Sequence, residues 1–598
     1  MERRQLLRGA AGLAVTASLP AGADTALEAQ PLDGRPFPAY DYSRANKLPR
    51  EMTGYWTKSF TIDGQVRTAK VYISPETPIR SYYTVVAVPD GADTAEFLRS
   101  AGWFGVADQR EEGLFVLEPG AGGWGDPQSE AAYVAEAMAF YQANRYFSIF
   151  GLHYLVGYGK GAPALEAWAV AHPLRVISQT YVDSPGLDAD YFEQYASREF
   201  DGTTDGYTPV DFPAGFDLIR YDEVVLPTWY IRPDPHTAGA SIAYWKRAND
   251  TDGRWQRRGS RRWMTSYAGP ISQVAVQRHP ASTRQIVAFL TAYTRYENFF
   301  AYGNQLFERA DYARLGVQVR TMTVAGYLRE YLVYQPRSAR RKAPVVFVWP
   351  GNSQTDKVFF DAAQWWKVAE REGFILVTVC EQYSNTSVSV SHRDSIAFFR
   401  QLRDVLISEY SVDPTRFYST GQSAGSQVSQ NFAIAFPEYF AAVASTSFTA
   451  APSDAGTVTM DGVAYPASRR PIPCYQIYGY GDLAFLAGGL WDDTENSLDQ
   501  WARYHLAVNR LELSDVNTVD GVRSGWHRRF QTWTWHRPGT RIPVLKLTKN
   551  LYRSHNTMPE ESPLMWDFLK HYSCETDSQG NTVRYYYSDY PRGRRRIS

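Results

Sequence analysis

Arg416-Phe417-Tyr418-Ser419-Thr420-Gly421-Gln422-Ser423-Ala424-Gly425 predicts a strand, a sharp turn and the start of a helix. The run up to Thr420 is strand-like, and an Ala-rich helical pattern follows. Between them Gly421 to Gly425 fits G-x-S-x-G, in which a serine sits on a strained strand-to-helix corner. The flanking glycines let neighbouring backbones approach, and the helix start offers partial positive charge to an oxyanion. Ser423 is therefore the candidate nucleophile.

A second stretch repeats the pattern without the serine. His153-Tyr154 through Gly157-Tyr158-Gly159-Lys160-Gly161 lies over Phe417-Tyr418 through Gly421-Gln422-Ser423-Ala424-Gly425. The spacing holds without a gap into Trp168-Ala169-Val170-Ala171-His172-Pro173 over Phe432-Ala433-Ile434-Ala435-Phe436-Pro437. Upstream, Thr84 to Val88 matches Val345 to Val348, each ending in a Pro/Gly turn, and Leu114 to Leu117 matches Phe374 to Val377. Self-similarity at this scale predicts a duplication. In each copy short apolar runs alternate with amphipathic stretches, as in βαβ units on a mostly parallel sheet. The expected fold class is α/β, with two tandem α/β-hydrolase-like domains. Expected boundaries are an export signal over 1–30, a linker over 31–50, a degenerate domain over 51–305, a catalytic domain over 310–574 and a basic tail over 575–598.

A serine hydroxyl needs a base to take its proton. In this fold the acid and the histidine follow the serine in the chain. Pro473 to Tyr478 reads as a strand ending in Gly479-Tyr480-Gly481-Asp482, which puts a carboxylate just past its C-terminal end. Val544 to Thr548 reads as another strand, followed by a loop carrying His555 and then a helix. Competing histidines are His392, His505, His527, His536 and His571; competing acids are Asp492, Asp493 and Asp499, in an apparent insertion. The triad expected is Ser423, His555 and Asp482, with the N–H groups of Ala424 and Asn352 as the oxyanion hole. In the first copy Gly159 has no nucleophile, and Asp234 and His279 are expected to be remnants.

Composition fits this reading. The 598 residues exceed one ordinary domain, and 44% hydrophobic with 21% charged residues is a globular balance. With 62 basic and 63 acidic residues, net charge −1, nucleic acid is not an expected partner. The 17 Trp, 41 Tyr and 30 Phe suit packed cores and pockets for ring-shaped ligands. Arg254 to Trp263 is basic and aromatic and reads as a solvated loop, with an acidic-polymer contact as the alternative. The three cysteines are too few for a zinc cage, and a Cys474–Cys574 bridge is left open. Arg3-Arg4 before Leu6-Leu7 and the small apolar run Gly9 to Ala23 resemble a twin-arginine export signal, so export from a bacterial cytoplasm is expected. No transmembrane segment is expected in the mature protein.

Pro350-Gly351-Asn352-Ser353-Gln354-Thr355, the Gly-Gln-Ser-Ala-Gly elbow, the Gly-Tyr-Gly-Asp482 turn and the His555 loop together resemble the polyhydroxybutyrate depolymerase and feruloyl esterase group of α/β-hydrolases. The helix after Asp482, from Asn496 to Trp501, is similar too. The resemblance covers most of the second copy. It implies a secreted serine esterase, without metal or cofactor, acting on a small-molecule or polymer-linked ester. Two departures are visible: Pro350 precedes Gly351 where the group has His-Gly, and Ser426 replaces a glycine after the elbow. A peptidase or an acyltransferase would use the same residues, and a non-catalytic ligand-binding protein is the alternative from another class.

Overall fold

The computed structural model describes residues 28–598 except 37, 40, 144–152, 200–219, 252–254, 266–271, 296–305, 352–353, 381–393, 480–481, 483–490, 492–496, 526–527, 552, 554 and 556. The export signal, Asn352 in the expected oxyanion turn, His392, His527, Asp492 and Asp493 lie outside the described residues.

The first sheet is built from β1 (Gln30–Pro31), β2 (Gly54–Ile62), β3 (Gln65–Ile73), β4 (Tyr83–Ala87), β5 (Gly113–Leu117), β6 (His153–Tyr158), β7 (Val176–Val182), β8 (Thr228–Ile231), β9 (Gln256–Arg258), β10 (Arg261–Thr265) and β11 (Gln273–Gln277). Their spatial order is β1-β2-β3-β5-β4-β6-β7-β8-β11-β10-β9. A ribbon of β12 (Tyr293–Arg295) and β13 (Leu306–Glu308) closes this half.

The second sheet uses β14 (Gln318–Val324), β15 (Tyr327–Tyr334), β16 (Ala343–Trp349), β17 (Ile375–Val379), β18 (Val412–Gly421) and β19 (Ala442–Thr446). After a separate hairpin of β20 (Thr457–Met460) and β21 (Val463–Pro466), it continues through β22 (Cys474–Gly479), β23 (Val522–Ser524), β24 (Phe530–His536) and β25 (Pro543–Asn550). The order is β14-β15-β17-β16-β18-β19-β22-β25-β24-β23. From β2 and from β14 onward the two sheets follow one plan: each opens on an antiparallel hairpin, exchanges its third and fourth strands, runs parallel and ends in antiparallel strands, while β1 lies parallel to β2 at the outer edge of the first. The parallel strands are buried on both faces, which is why Val85-Val86-Ala87 and Val345-Val346-Phe347 read as unbroken apolar runs. A shared buried contact underlines the correspondence. Trp245 donates its indole N–H to Glu166 (3.0 Å), and Trp501 donates to Gln430 (2.8 Å).

Several expectations need correction. The 31–50 stretch is not a loose linker: Leu48 and Asn46 are buried, and Lys47 bridges to Pro78. The 575–598 stretch is not a solvated tail. β26 (Tyr572–Thr576), β27 (Thr582–Asp589) and β28 (Arg592–Arg596) form an antiparallel sheet, and Arg584 is buried, donating to the carbonyls of Pro471, Pro437 and Phe440. The terminal arginines are exposed, as a basic run should be, but on a strand. His536, one of the competing histidines, belongs to β24, a strand of the main sheet. The Arg254–Trp263 stretch holds β9 and β10 and is not a loop. Cys380, Cys474 and Cys574 are buried thiols outside any disulfide, so no bridge joins the latter two.

Candidate active site

At the end of β18 the chain turns sharply. A Cβ on Gly421 would lie 2.4 Å from the backbone of Gly425, and one on Gly425 only 1.9 Å from the Trp349 carbonyl oxygen. No other residue fits at either position. Between them Ser423 takes φ 53° and ψ −116°, outside the helical region, and the helix Ala424–Ala435 starts on the next residue. The strained corner is held because Ser423 donates its N–H to the Thr446 carbonyl at 3.0 Å, and its own carbonyl accepts from Gln427 at 2.9 Å. Ala424 is the first helical residue, so its N–H has no carbonyl of the same helix to bond.

The same corner occurs at the end of β6. Gly159 has φ 55°, and its N–H donates to Val182 at 2.9 Å. Strand order and elbow together decide the fold class. The chain has the α/β-hydrolase fold.

In such a fold the C-terminal ends of the strands carry the site, and three of them converge here. His555, in the loop after β25, has Nε2 at 2.8 Å from Ser423 Oγ and Nδ1 at 2.7 Å from Asp482 Oδ1. Asp482 follows β22 and is buried, whereas the His555 side chain is 28% exposed. The buried carboxylate fixes the tautomer: its acceptor oxygen requires the proton on Nδ1, which leaves Nε2 to accept from the serine hydroxyl. The second oxygen of Asp482 accepts from the Gly479 N–H at 2.6 Å.

One group in this cluster was invisible in the sequence. Arg553, two residues before His555, is fully buried and donates to Asp482 Oδ2 (3.2 Å), Ser447 Oγ (2.6 Å), Thr446 Oγ1 (2.7 Å) and Glu561 Oε1 (2.6 Å). Glu561 also accepts from Asn550 at 2.8 Å, and burial pushes its carboxyl above the usual range. Proximity to His555 in the chain was the only signal, since Asp482, Ser447 and Thr446 lie 71, 106 and 107 residues away.

The competing groups are elsewhere. His505 is buried and pushed down to about 3 by desolvation, His571 donates its Nδ1–H to the Tyr587 carbonyl (2.7 Å), and Asp499 pairs with Arg503 at 2.6 Å. Beside the expected oxyanion turn, the Gly351 N–H donates to Gln354, whose amide donates to Gln422 at 2.8 Å. Ser426, at the departure after the elbow, donates to the Phe448 carbonyl at 2.6 Å. In the first half Asp234 and His279 are both exposed on the loops after β8 and β11.

No family model matches the chain. A stretch of 118 residues is 25% identical to the probable acetylxylan esterase A of Neosartorya fischeri and, equally, to that of Aspergillus fumigatus. The match covers 18% of this chain and 32% of each relative, so it spans about a third of the curated relatives' length. Among solved structures, an acetyl xylan esterase from Aspergillus awamori aligns over 42% of this chain and 99% of its own, at 14% identity and a TM-score of 0.28. An S-formylglutathione hydrolase from Agrobacterium tumefaciens aligns over 42% and 92%, at 15% identity and a TM-score of 0.28. A ferulic acid esterase aligns over 22% and 59%, at 18% identity and a TM-score of 0.20. Among the described residues no helix is long and apolar enough to cross a membrane.

Proposed function

We propose that the chain is a serine carboxylic ester hydrolase working through Ser423, His555 and Asp482. The observation that carries this reading is the relay itself, 2.8 Å from serine to imidazole and 2.7 Å from imidazole to carboxylate, on a strained elbow at strand ends. Ser423 Oγ attacks the ester carbonyl carbon as His555 Nε2 takes its proton. Asp482 stabilises the imidazolium that results. The imidazolium then gives the proton to the leaving alkoxide, and water deacylates Ser423 by the same route. The Ala424 N–H is aimed from the helix start as one oxyanion donor, and Asn352, next to Gly351, is the second.

The acetylxylan esterase relatives and the resemblance to feruloyl esterases favour an acyl group carried on a polymer, such as acetyl or hydroxycinnamoyl esters of a polysaccharide. Arg3-Arg4 and the apolar run after them support export, which suits a substrate too large to enter a cell. We read residues 51–305 as a degenerate copy of the 310–574 domain, retaining strand order and elbow but no nucleophile.

Turnover of p-nitrophenyl acetate, methyl ferulate, acetylated xylan and hydroxybutyrate oligomers by wild type and Ser423→Ala tests the reading. Hydrolysis of at least one by wild type and none by the variant is expected. Activity on none by wild type, or equal activity in both, sinks it.

A further inference from the structure

Among the described residues, the buried charges behind Asp482 have no equivalent at the elbow that lacks a serine. Matched through the bonds that hold the two elbows, Thr446 corresponds to Val182, whose carbonyl takes the Gly159 N–H but whose side chain has no hydroxyl. Ser447 corresponds to Asp183, since both N–H groups donate to the last isoleucine of the next strand, Ile477 and Ile231. Asp183 meets Arg232 in an exposed pair, with the two side chains 49% and 43% accessible. Among the described residues, the fold therefore closes this corner without a buried ion.

In the serine-bearing half the same corner encloses Arg553, Asp482 and Glu561, each no more than 1% exposed. Burying three charged groups is costly and rarely improves stability over an apolar filling. A cluster that the fold does not need, placed against the reacting set, points to a role in that set.

We infer that Arg553, backed by Glu561, is a positioning residue that locks the three reacting side chains in register. The inference rests on reading Ser423, His555 and Asp482 as those reacting groups. Arg553 lies two residues from His555 and so fixes the base's loop. It holds the oxygen of Asp482 that His555 does not use. It also grips the hydroxyl of Thr446, whose carbonyl anchors the Ser423 N–H. One guanidinium thus ties the His555 loop to the ends of β19 and β22, and through Thr446 to the Ser423 corner, using the several fixed donors that a lysine lacks. Glu561 takes the remaining Nε–H and balances the cation.

The charge also bears on the base. Among the described residues, the charged or titratable groups facing Asp482 are His555, Arg553, Glu561 and the Tyr478 hydroxyl. Removing the cation leaves the full Asp482 charge to act on His555, which favours imidazolium. The acidic limb of kcat/KM should then move to higher pH. Removing Glu561 acts with the opposite sign.

The test uses the full chain and p-nitrophenyl acetate, with Arg553→Met, Arg553→Lys and Glu561→Gln. For Arg553→Met, kcat is expected to fall about tenfold to a hundredfold with KM nearly constant, because the misplacement is felt in the transition state. Its acidic limb should rise, Arg553→Lys should recover part of kcat, and the Glu561→Gln limb should fall. A folded Arg553→Met with kcat within about twofold of wild type overturns the inference. So does an equal loss in Arg553→Met and Arg553→Lys with the limb unmoved, which is the signature of a merely structural ion. If Arg553→Met does not fold, the Glu561→Gln limb decides, and one that stays put overturns it. Fluorophosphonate labelling of wild type separates the two levels: no labelling sinks the underlying reading, whereas labelling with unmoved variant kinetics sinks this inference alone.

Discussion

Gly159 and Ser423 hold the same left-handed corner, with φ of 55° and 53°, and each donates its N–H to the last residue of the adjacent strand. One corner carries a hydroxyl and the other a hydrogen atom. A Cβ at Gly159 would meet nothing closer than Pro89 at 4.0 Å, so space is not what excludes a serine there. What is missing is the relay, because Asp234 and His279 are exposed and no hydrogen bond joins them among the described residues. Gly159→Ser in a Ser423→Ala background is therefore expected to leave p-nitrophenyl acetate turnover at the Ser423→Ala level. Its cost should be a modest drop in Tm, since a non-glycine residue at positive φ costs about 1–2 kcal/mol. Restored turnover would show a base near Gly159 that this account lacks.

Gly425→Ala makes the opposite steric case. Its Cβ would lie 1.9 Å from the Trp349 carbonyl oxygen, so the turn must open. Turnover and Tm should both fall sharply, whereas Gly159→Ala should keep wild-type turnover. Thermal melts beside initial rates check the pair, and a fully active Gly425→Ala would contradict the packing described.

Asp482→Asn keeps the shape of the site but offers an amide in place of a carboxylate to His555 Nδ1. Loss of the tautomer and of imidazolium stabilisation should lower kcat by on the order of 10⁴. Steady-state kinetics near neutral pH read this directly. A loss under about tenfold would remove Asp482 from the proposed set.

Glu166 and Gln430 provide a pH-dependent contrast. Each accepts from the tryptophan of a corresponding helix, but burial pushes the Glu166 carboxyl up to about 7 from 4.5. A raised folded-state value means that the stabilisation is complete below pH 4.5 and is lost as pH rises through 7. The shift corresponds to roughly 3 kcal/mol across that window. Glu166→Gln, which copies Gln430, should flatten the decline of Tm between those two pH values. Parallel curves for wild type and variant would mean that Glu166 is not the group responsible.

The elbow, the parallel runs and the order of serine, acid and histidine were legible in the sequence because each depends on local pattern: glycine at close approaches, and β-branched residues in strands buried on both faces. Asp482 and His555 were legible because strand ends place them. Arg553 was not, since its meaning lies in partners at the ends of β19 and β22 and on a helix, and an arginine in a loop ordinarily reads as solvated. The 575–598 stretch misled for a related reason. Arg584 looks like one more surface cation, yet it is buried against the carbonyls of Pro437, Phe440 and Pro471, a partnership that no local pattern announces. The 31–50 segment, expected as a linker, is anchored by the buried Leu48 and Asn46.

The central claim is that Ser423 is a nucleophile activated by His555. It is met most directly by mass-spectrometric mapping of a fluorophosphonate adduct on wild type, Ser423→Ala and His555→Ala. One adduct on the Ser423 peptide of wild type, none on Ser423→Ala, and strongly slowed labelling of His555→Ala is the predicted result. An adduct on another residue, or equal labelling of all three proteins, would contradict it.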